Sequence, residues 1–223
     1  SEAMAAQLGD DWIADGPARM PYEQVRDFFY ARHNHVEPLD EAAERLYAQA
    51  GLSPRNIHPG LVAWLRDKHD VQVLFTDGEG AQRRFDPVTR MLHVSAALKP
   101  GQQAFQMATQ LAFIELAGVI DRLADDRILQ GEEARQLARV GLANYFAGAL
   151  LLPYGDFLAA AEAEAYDIER LARRFGVGFE TICHRLSTLQ RADARGIPFF
   201  FVRVDRAGNI SKRQSATDFH FSR

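Results

Sequence analysis

The chain has 223 residues, enough to bury a sizeable core as one large domain or two smaller ones. Its 47% apolar and 25% charged residues exclude a disordered or fibrous polymer, and no apolar run nears the roughly 18 residues of a membrane span. A single cysteine, Cys183, excludes internal disulfides and clusters held by several thiolates of this chain; with no basic-then-apolar leader, the expectation is a reducing, cytoplasmic setting and no membrane partner.

The net charge of −4 hides an asymmetry. Between Arg170 and Arg213 ten Lys and Arg face only Glu180, Asp193 and Asp205, so that segment carries +7 and the remainder −11. A basic block of this kind favours an anionic partner, nucleic acid or a phosphorylated small molecule, over a plain solvated face.

Residues 1–20 read as polar and irregular. A helix is predicted from Pro21 through Val25, Phe28 and Phe29, ended by Pro38, with Phe28, Phe29 and Tyr30 as a docking stripe. Asp40 is read as the cap of a second helix, Glu41 to Ala50, closed by Gly51. His33 and His35 lie in the connecting turn and read as surface histidines, since HxH without further ligands is a weak metal signal. His58-Pro59-Gly60 opens a third helix. Val71–Phe75, Gln82–Phe85 and Met91–Val94 follow as short strands, whose hairpin-length links predict a small, largely antiparallel sheet.

The stretch from Gly101 to Asp121 reads as one long helix. Phe105, Ala108, Leu111, Ala112, Leu116, Val119 and Ile120 recur at helical steps, while Gln102, Gln103, Gln106, Thr109 and Gln110 form a polar yet uncharged face. A solvated face normally carries Lys, Glu and Arg, so this stripe points to a buried helix looking into an enclosed polar space. A second apolar helix, about Glu132 to Leu152, is stopped by Pro153, with Asn144 and Tyr145 expected to turn toward the first; Asp156 then caps a short helix.

In Tyr166–Gln190, Ala172, Gly176 and Ile182 take the relative positions 5, 9 and 15 of a helix-turn-helix, with Val177 after the turn glycine. Phe199–Val204, the Ala207-Gly208-Asn209 turn and Ile210–Arg213 read as a hairpin with a basic return strand, so that the segment resembles a winged helix.

These stretches together carry a family resemblance. AFQMATQLA resembles the helix of ImmA/IrrE-type metallopeptidases, roughly RFTLAHELGH, and LANYFAGALLLP their second helix, roughly EANxFAxxLLMP. The tail RRFGVGFETICHRLSTLQR, continuing through GIPFFFVRVDRAGNISKRQSAT, looks more specifically like the short-chain fatty acyl-CoA responsive regulators, across about Asn56 to Arg223. That branch places a helix-turn-helix domain before this region and a Cys-rich domain after it, which makes this chain resemble a core fragment or a truncated relative.

The departures matter most. A zinc peptidase needs two His at i and i+4, a Glu base beside the first, and a third ligand from another helix. By the resemblance these positions hold Thr109, Phe113, Gln110 and Leu142. Phe and Leu offer a metal no lone pair, and a carboxamide is no general base. The expectation is no zinc, no catalytic residues and no proteolysis: a pseudoenzyme whose cleft is reused for binding.

The resemblance implies short-chain acyl-CoA (acetyl- or propionyl-CoA) as effector, with Gln106, Thr109, Gln110, Phe113 and Tyr145 lining the acyl and pantetheine arm and Arg203, Lys212 and Arg213 holding phosphates. In the alternative, Arg173, Arg174 and Arg185 contact DNA directly, Lys212 joining them. The expected fold is α+β and mostly helical: residues 1–55 a helical linker region, 56–165 a degenerate zincin-like domain with a three-stranded sheet, and 166–223 a winged-helix-like part. The expected partners are acyl-CoA, DNA in the full-length protein and a second copy, since regulators of palindromic sites are usually dimers.

Overall fold

The computed structural model describes residues 19–77, 80–204, 206–208 and 210–215, with the backbone alone at 203 and 210–215; the expectations for residues 1–18 and for the side chains of Arg203, Lys212 and Arg213 lie outside it. In chain order come α1 (Pro21–Tyr30), α2 (Glu37–Gln49), α3 (Ile57–His69), β1 (Gln72–Thr76), β2 (Arg83–Asp86) and β3 (Met91–Ser95). Then follow α4 (Pro100–Glu115), α5 (Ala117–Ala124), α6 (Glu132–Leu151), α7 (Tyr154–Ala163), α8 (Ile168–Phe175), α9 (Phe179–Leu186), β4 (Phe200–Val204) and β5 (Ile210–Ser215). The mostly helical α+β expectation, with its small sheet and closing helix pair and hairpin, matches this order.

Helix α4 starts where the chain can no longer extend: Pro100 supplies the first helical φ, and the Gln102 side chain accepts a hydrogen bond from the Lys99 N–H at 2.9 Å. So Gln102, one member of the uncharged stripe, is a cap. On the opposite face Ala104, Met107, Ala108, Leu111 and Ala112 are fully buried. Helices α3 and α6 and strand β3 pack around α4, and Leu142, Phe146 and Leu150 of α6 join its core. Each fully buried Leu or Phe contributes about 1.5–3 kcal/mol, so α4 with α6 forms the spine of the fold.

The sheet differs from the expectation. Its order is β1-β3-β2, with β1 parallel to β3 and β2 antiparallel to it. Only the β2–β3 link is a hairpin; the chain leaving β1 passes over β3 to reach the far edge, which segment length alone did not reveal. Three further expectations are corrected. The Gly101–Asp121 stretch is two helices, because the backbone breaks at Leu116 (φ −116°, ψ 15°) so that α5 can bury Ile120 and Ala124. Helix α2 begins at Glu37, with Pro38 inside its first turn; Asp40 is therefore a helical residue and no cap. Asp156 likewise lies in the first turn of α7, after an N-cap at Pro153.

The α8–α9 turn forms as its glycine spacing predicts. Asp167 caps α8 by accepting from the Arg170 N–H at 3.0 Å, and Gly176 closes it in the left-handed region (φ +66°). This turn sits on the start of α4: a Cβ added at Gly101 would stand 2.1 Å from the Gly176 carbonyl oxygen. The aromatic stripe of α1 docks within the chain, for Phe28 is fully buried and the Phe29 ring would lie 2.8 Å from a Cβ at Gly141 of α6.

Candidate functional site

Two polar arrangements flank the α4–α6 spine. The first lies over the uncharged face of α4. Gln103, Gln106, Gln110 and Phe113 follow one another at steps of three and four, which stacks them along one side of the helix. Gln103 is 9% exposed; its Oε1 lies 2.9 Å from His58 Nε2, and its amide donates to the Ser95 carbonyl at 3.2 Å. Thr109, fully buried, donates to the Phe105 carbonyl at 2.9 Å and to Asn144 Oδ1 of α6 at 3.3 Å. Asn144 thus turns toward α4 as expected.

The side chain that dominates this face was not among the sequence candidates. Arg83 of β2 stands opposite Val94 of β3, and cross-strand partners share a face, so Arg83 points with Leu92 and Val94 toward α4. Its Nε donates to Gln110 Oε1 at 3.1 Å and its Nη1 to Gln106 Oε1 at 2.9 Å, with the guanidinium carbon 6.0 Å from the Phe113 ring centroid. Gln106 in turn donates to Gln82 Oε1 at 3.0 Å. Burial lowers the Arg83 pKa from its ordinary value. A signal was present: strand alternation sets Arg83 on the face of Phe85 and Arg84 on the other.

Tyr145 belongs elsewhere. Successive helical residues point about 100° apart, so Asn144 and Tyr145 cannot both face α4. The Tyr145 hydroxyl instead accepts from the Val36 N–H at 3.0 Å and donates to Asp40. It belongs to the second arrangement, a buried network joining α2, α6 and α9. Arg185, only 2% exposed, donates to Asp40 Oδ1 at 2.6 Å, to the Leu152 carbonyl at 2.9 Å and to Thr188 at 3.0 Å. Burial acts to raise the Asp40 carboxyl, yet the Arg185 charge and hydrogen bonds from His35, Arg185 and Tyr145 hold it well below the usual range.

His35 is part of this network rather than of the surface, with Nδ1 3.3 Å from Asp40 and Nε2 bonded to Glu37. Burial acts to lower its pKa, but the two carboxylates leave it raised. Arg191 closes the network at the solvent edge, 2.9 Å from Glu37 and 3.3 Å from Glu44, with its guanidinium 4.3 Å from the Tyr154 ring centroid.

Of the arginines expected at DNA, Arg173 and Arg174 are exposed on α8, whereas Arg185 faces inward because Asp40 holds it. Helix α9 presents Phe179 and Glu180 at its exposed start. Cys183 is a buried free thiol whose pKa burial pushes up to about 11.

Zinc does not fit the α4 face. The Thr109 hydroxyl is engaged with Phe105 and Asn144, the Gln110 oxygen with Arg83, and Phe113 and Leu142 have no donor atoms. Among the described residues no group of three His, Cys, Asp or Glu gathers as a metal ion would require, and the cation nearest the face is Arg83's own guanidinium.

Fold and site together define a zincin-like α+β domain with a winged-helix-like end and an arginine over the uncharged face of α4. The chain belongs to the family of IrrE N-terminal-like domains, whose model matches residues 66–187, more than half of its length. Residues 188–223 match a second model, the C-terminal region of short-chain fatty acyl coenzyme A regulators, so the junction falls just after α9. The chain is 55% identical over 212 residues to the HTH-type transcriptional regulator PrpR of Mycobacterium tuberculosis, covering 93% of this chain and 43% of that protein. It is 48% identical to RamB of the same species, another HTH-type transcriptional regulator, over 99% of this chain and 48% of that one. It is 43% identical to a propionyl-CoA carboxylase regulator of Cereibacter sphaeroides, over 91% and 43%. A solved Mycobacterium tuberculosis transcriptional regulator superposes with a TM-score of 0.88 at 54% identity, covering 91% of this chain and 62% of that one. The chain therefore spans less than half the length of these curated relatives.

Proposed function

We propose that this chain is the ligand-sensing core of a bacterial transcription regulator, one that binds a short-chain acyl-CoA and passes its occupancy to a DNA-binding part of the full-length protein. The carrying observation is the pairing of two features in one chain. Its end matches the short-chain fatty acyl coenzyme A regulator region, and the uncharged face of α4 holds amides, an aromatic ring and an arginine. A pantetheine arm needs an apolar channel with a few amide-directed groups, which Gln106, Gln110, Asn144 and Phe113 supply. Neither hydrolysis nor zinc has a role in this reading, and the protein acts in the cytoplasm as a homodimer. Ligand binding must favour one arrangement of core and DNA-binding part, since equal affinity for both shifts nothing.

Calorimetric titration with acetyl-, propionyl- and free CoA tests this: saturable binding with the esters preferred is expected, and no heat at millimolar ligand overturns it. Direct DNA contact is the second reading, favoured by the exposed Arg173 and Arg174 and weakened by the inward Arg185 and the outward Glu180. A gel shift with this chain at low salt decides it: retardation that fades with salt supports contact, and none removes it.

A further inference from the structure

Among the described residues Arg83 holds no carboxylate. Arg185 holds Asp40, Arg191 holds Glu37 and Glu44, Arg139 holds Asp121 and Glu132, and Arg32 holds Asp126, whereas the partly buried Arg90 donates to the His69 carbonyl and Arg135 leaves its Nε without a partner among those residues. Arg83 is half-buried against α4, and among the described residues no carboxylate lies within ion-pair distance of it. Among the described residues, Asp86 of its own strand accepts from the Val88 and Thr89 N–H groups, and Glu115 at the end of α4 bonds Trp64 and His69. Its partners, Gln106 and Gln110, are neutral. They fix the guanidinium plane without cancelling its charge.

That is the chemistry of a receptor rather than of a structural ion pair. A guanidinium has five N–H donors. Two are committed to the glutamines, so three remain, all on Nη1 and Nη2. A pair of adjacent N–H groups matches a carboxylate or phosphate in two parallel bonds, and such charge-assisted bonds are about twice as strong as neutral ones. The glutamines brace the fork in advance, so little order remains to be imposed when an anion arrives.

We propose that Arg83, braced by Gln106 and Gln110, is an oxyanion receptor on the uncharged face of α4, and that a ligand bound there presents to it a carboxylate on its acyl group or a phosphate of the CoA. This deepens the acyl-CoA reading and depends on it for the ligand's class. The partly buried setting strengthens the attraction between guanidinium and anion, which offsets the desolvation cost that Arg83 already bears.

The test titrates pantetheine, free CoA, 3′-dephospho-CoA, propionyl-CoA and malonyl-CoA into the protein and into Arg83→Gln and Arg83→Lys, with melting of each unliganded protein. Arg83→Gln is expected to weaken binding about 10- to 100-fold for ligands bearing the group it reads, leaving pantetheine unchanged. Loss confined to malonyl-CoA identifies an acyl carboxylate; loss for all CoA forms identifies the diphosphate, and loss for all except dephospho-CoA the 3′-phosphate. Arg83→Lys keeps the charge but not the fork and is expected to recover part of the loss. Unliganded Arg83→Gln is expected to melt at or above the wild-type temperature, since it sheds an unpaired half-buried charge. Unchanged affinity for every ligand overturns the proposal, as does a lowered melting point with equal losses for pantetheine, which marks Arg83 as a strut. If the wild type binds no CoA compound, the sensing reading fails on its own. Titration with inorganic diphosphate and succinate then judges Arg83: saturable binding lost in Arg83→Gln keeps the receptor, and no binding ends it.

Discussion

Replacing Asp40 with Asn removes one charge from the pair that pins α9 to α2. The isosteric amide keeps the shape of the site, while Arg185, 2% exposed and with only neutral groups such as the Leu152 carbonyl, Thr188 and the Tyr154 ring left around it among the described residues, stays charged in the interior. Breaking one side of a buried pair costs about 3–5 kcal/mol, because the survivor is desolvated without compensation. For a domain of this size each kcal/mol shifts the melting temperature by about 2–4 °C, so Asp40→Asn is expected to melt about 6–20 °C below wild type. Urea denaturation followed by circular dichroism gives the same difference at constant temperature. The double variant Asp40→Leu with Arg185→Met, which leaves no lone charge, is expected to recover most of the loss. A melting temperature within about 2 °C of wild type in Asp40→Asn would refute the reasoning, since the stated cost corresponds to at least about 6 °C.

The same network sets how stability varies with pH. The Asp40 carboxyl is depressed in the fold, so its contribution is present above its ordinary value of 3.8 and is lost as pH falls through the native value; Asp40→Asn should abolish that acid-side dependence. The His35 pKa is raised, so its contribution is full below 6.5 and is lost as pH rises through the native value; His35→Gln should flatten a urea-stability profile on the alkaline side of 6.5. Gly101→Ala drives a methyl group into the Gly176 carbonyl and is expected to cost about 1–3 kcal/mol in urea unfolding, with the α8–α9 turn losing amide protection first. Gln110→Glu places a carboxylate beside Arg83: the protein should stay folded, gain no zinc-dependent hydrolysis of casein, and lose affinity for CoA compounds as the new anion occupies the guanidinium.

Much of the spine was legible because it is local. The apolar steps of α4 and α6, the Pro100 start, the Pro153 stop and the Gly176 turn are each set by residues within a few positions of one another. The break at Leu116 was hidden because no Pro marks it and Gly118 falls just beyond it, inside α5; it follows from how α5 packs. At the site, the run Gln106, Thr109, Gln110 and Phe113 could be placed on one face by periodicity. Tyr145 was misplaced by treating adjacent helical residues as neighbours in space. Asp40 read as a helix cap and Arg185 as a DNA contact, since nothing near either one announces a partner 145 residues away. The match to the IrrE-like domain explains why short motifs sufficed for the family while the guanidinium over its cleft escaped notice: the motifs sit on helices, and Arg83 arrives from a strand.

That separation also bears on how the protein is made. A ribosome adding about 5–20 residues per second releases Arg185 about 7–29 s after Asp40, from the 145 positions between them. Once α6 is complete at Leu151, late in that interval, α2 and α6 are both available, yet docking them buries the Asp40 carboxylate with Tyr145 and His35 but without its strongest cation. Early docking is therefore weak and reversible, and it locks only when the penultimate part of the chain arrives. The buried acid thus ties firm closure of the α2–α6 contact to the arrival of α9.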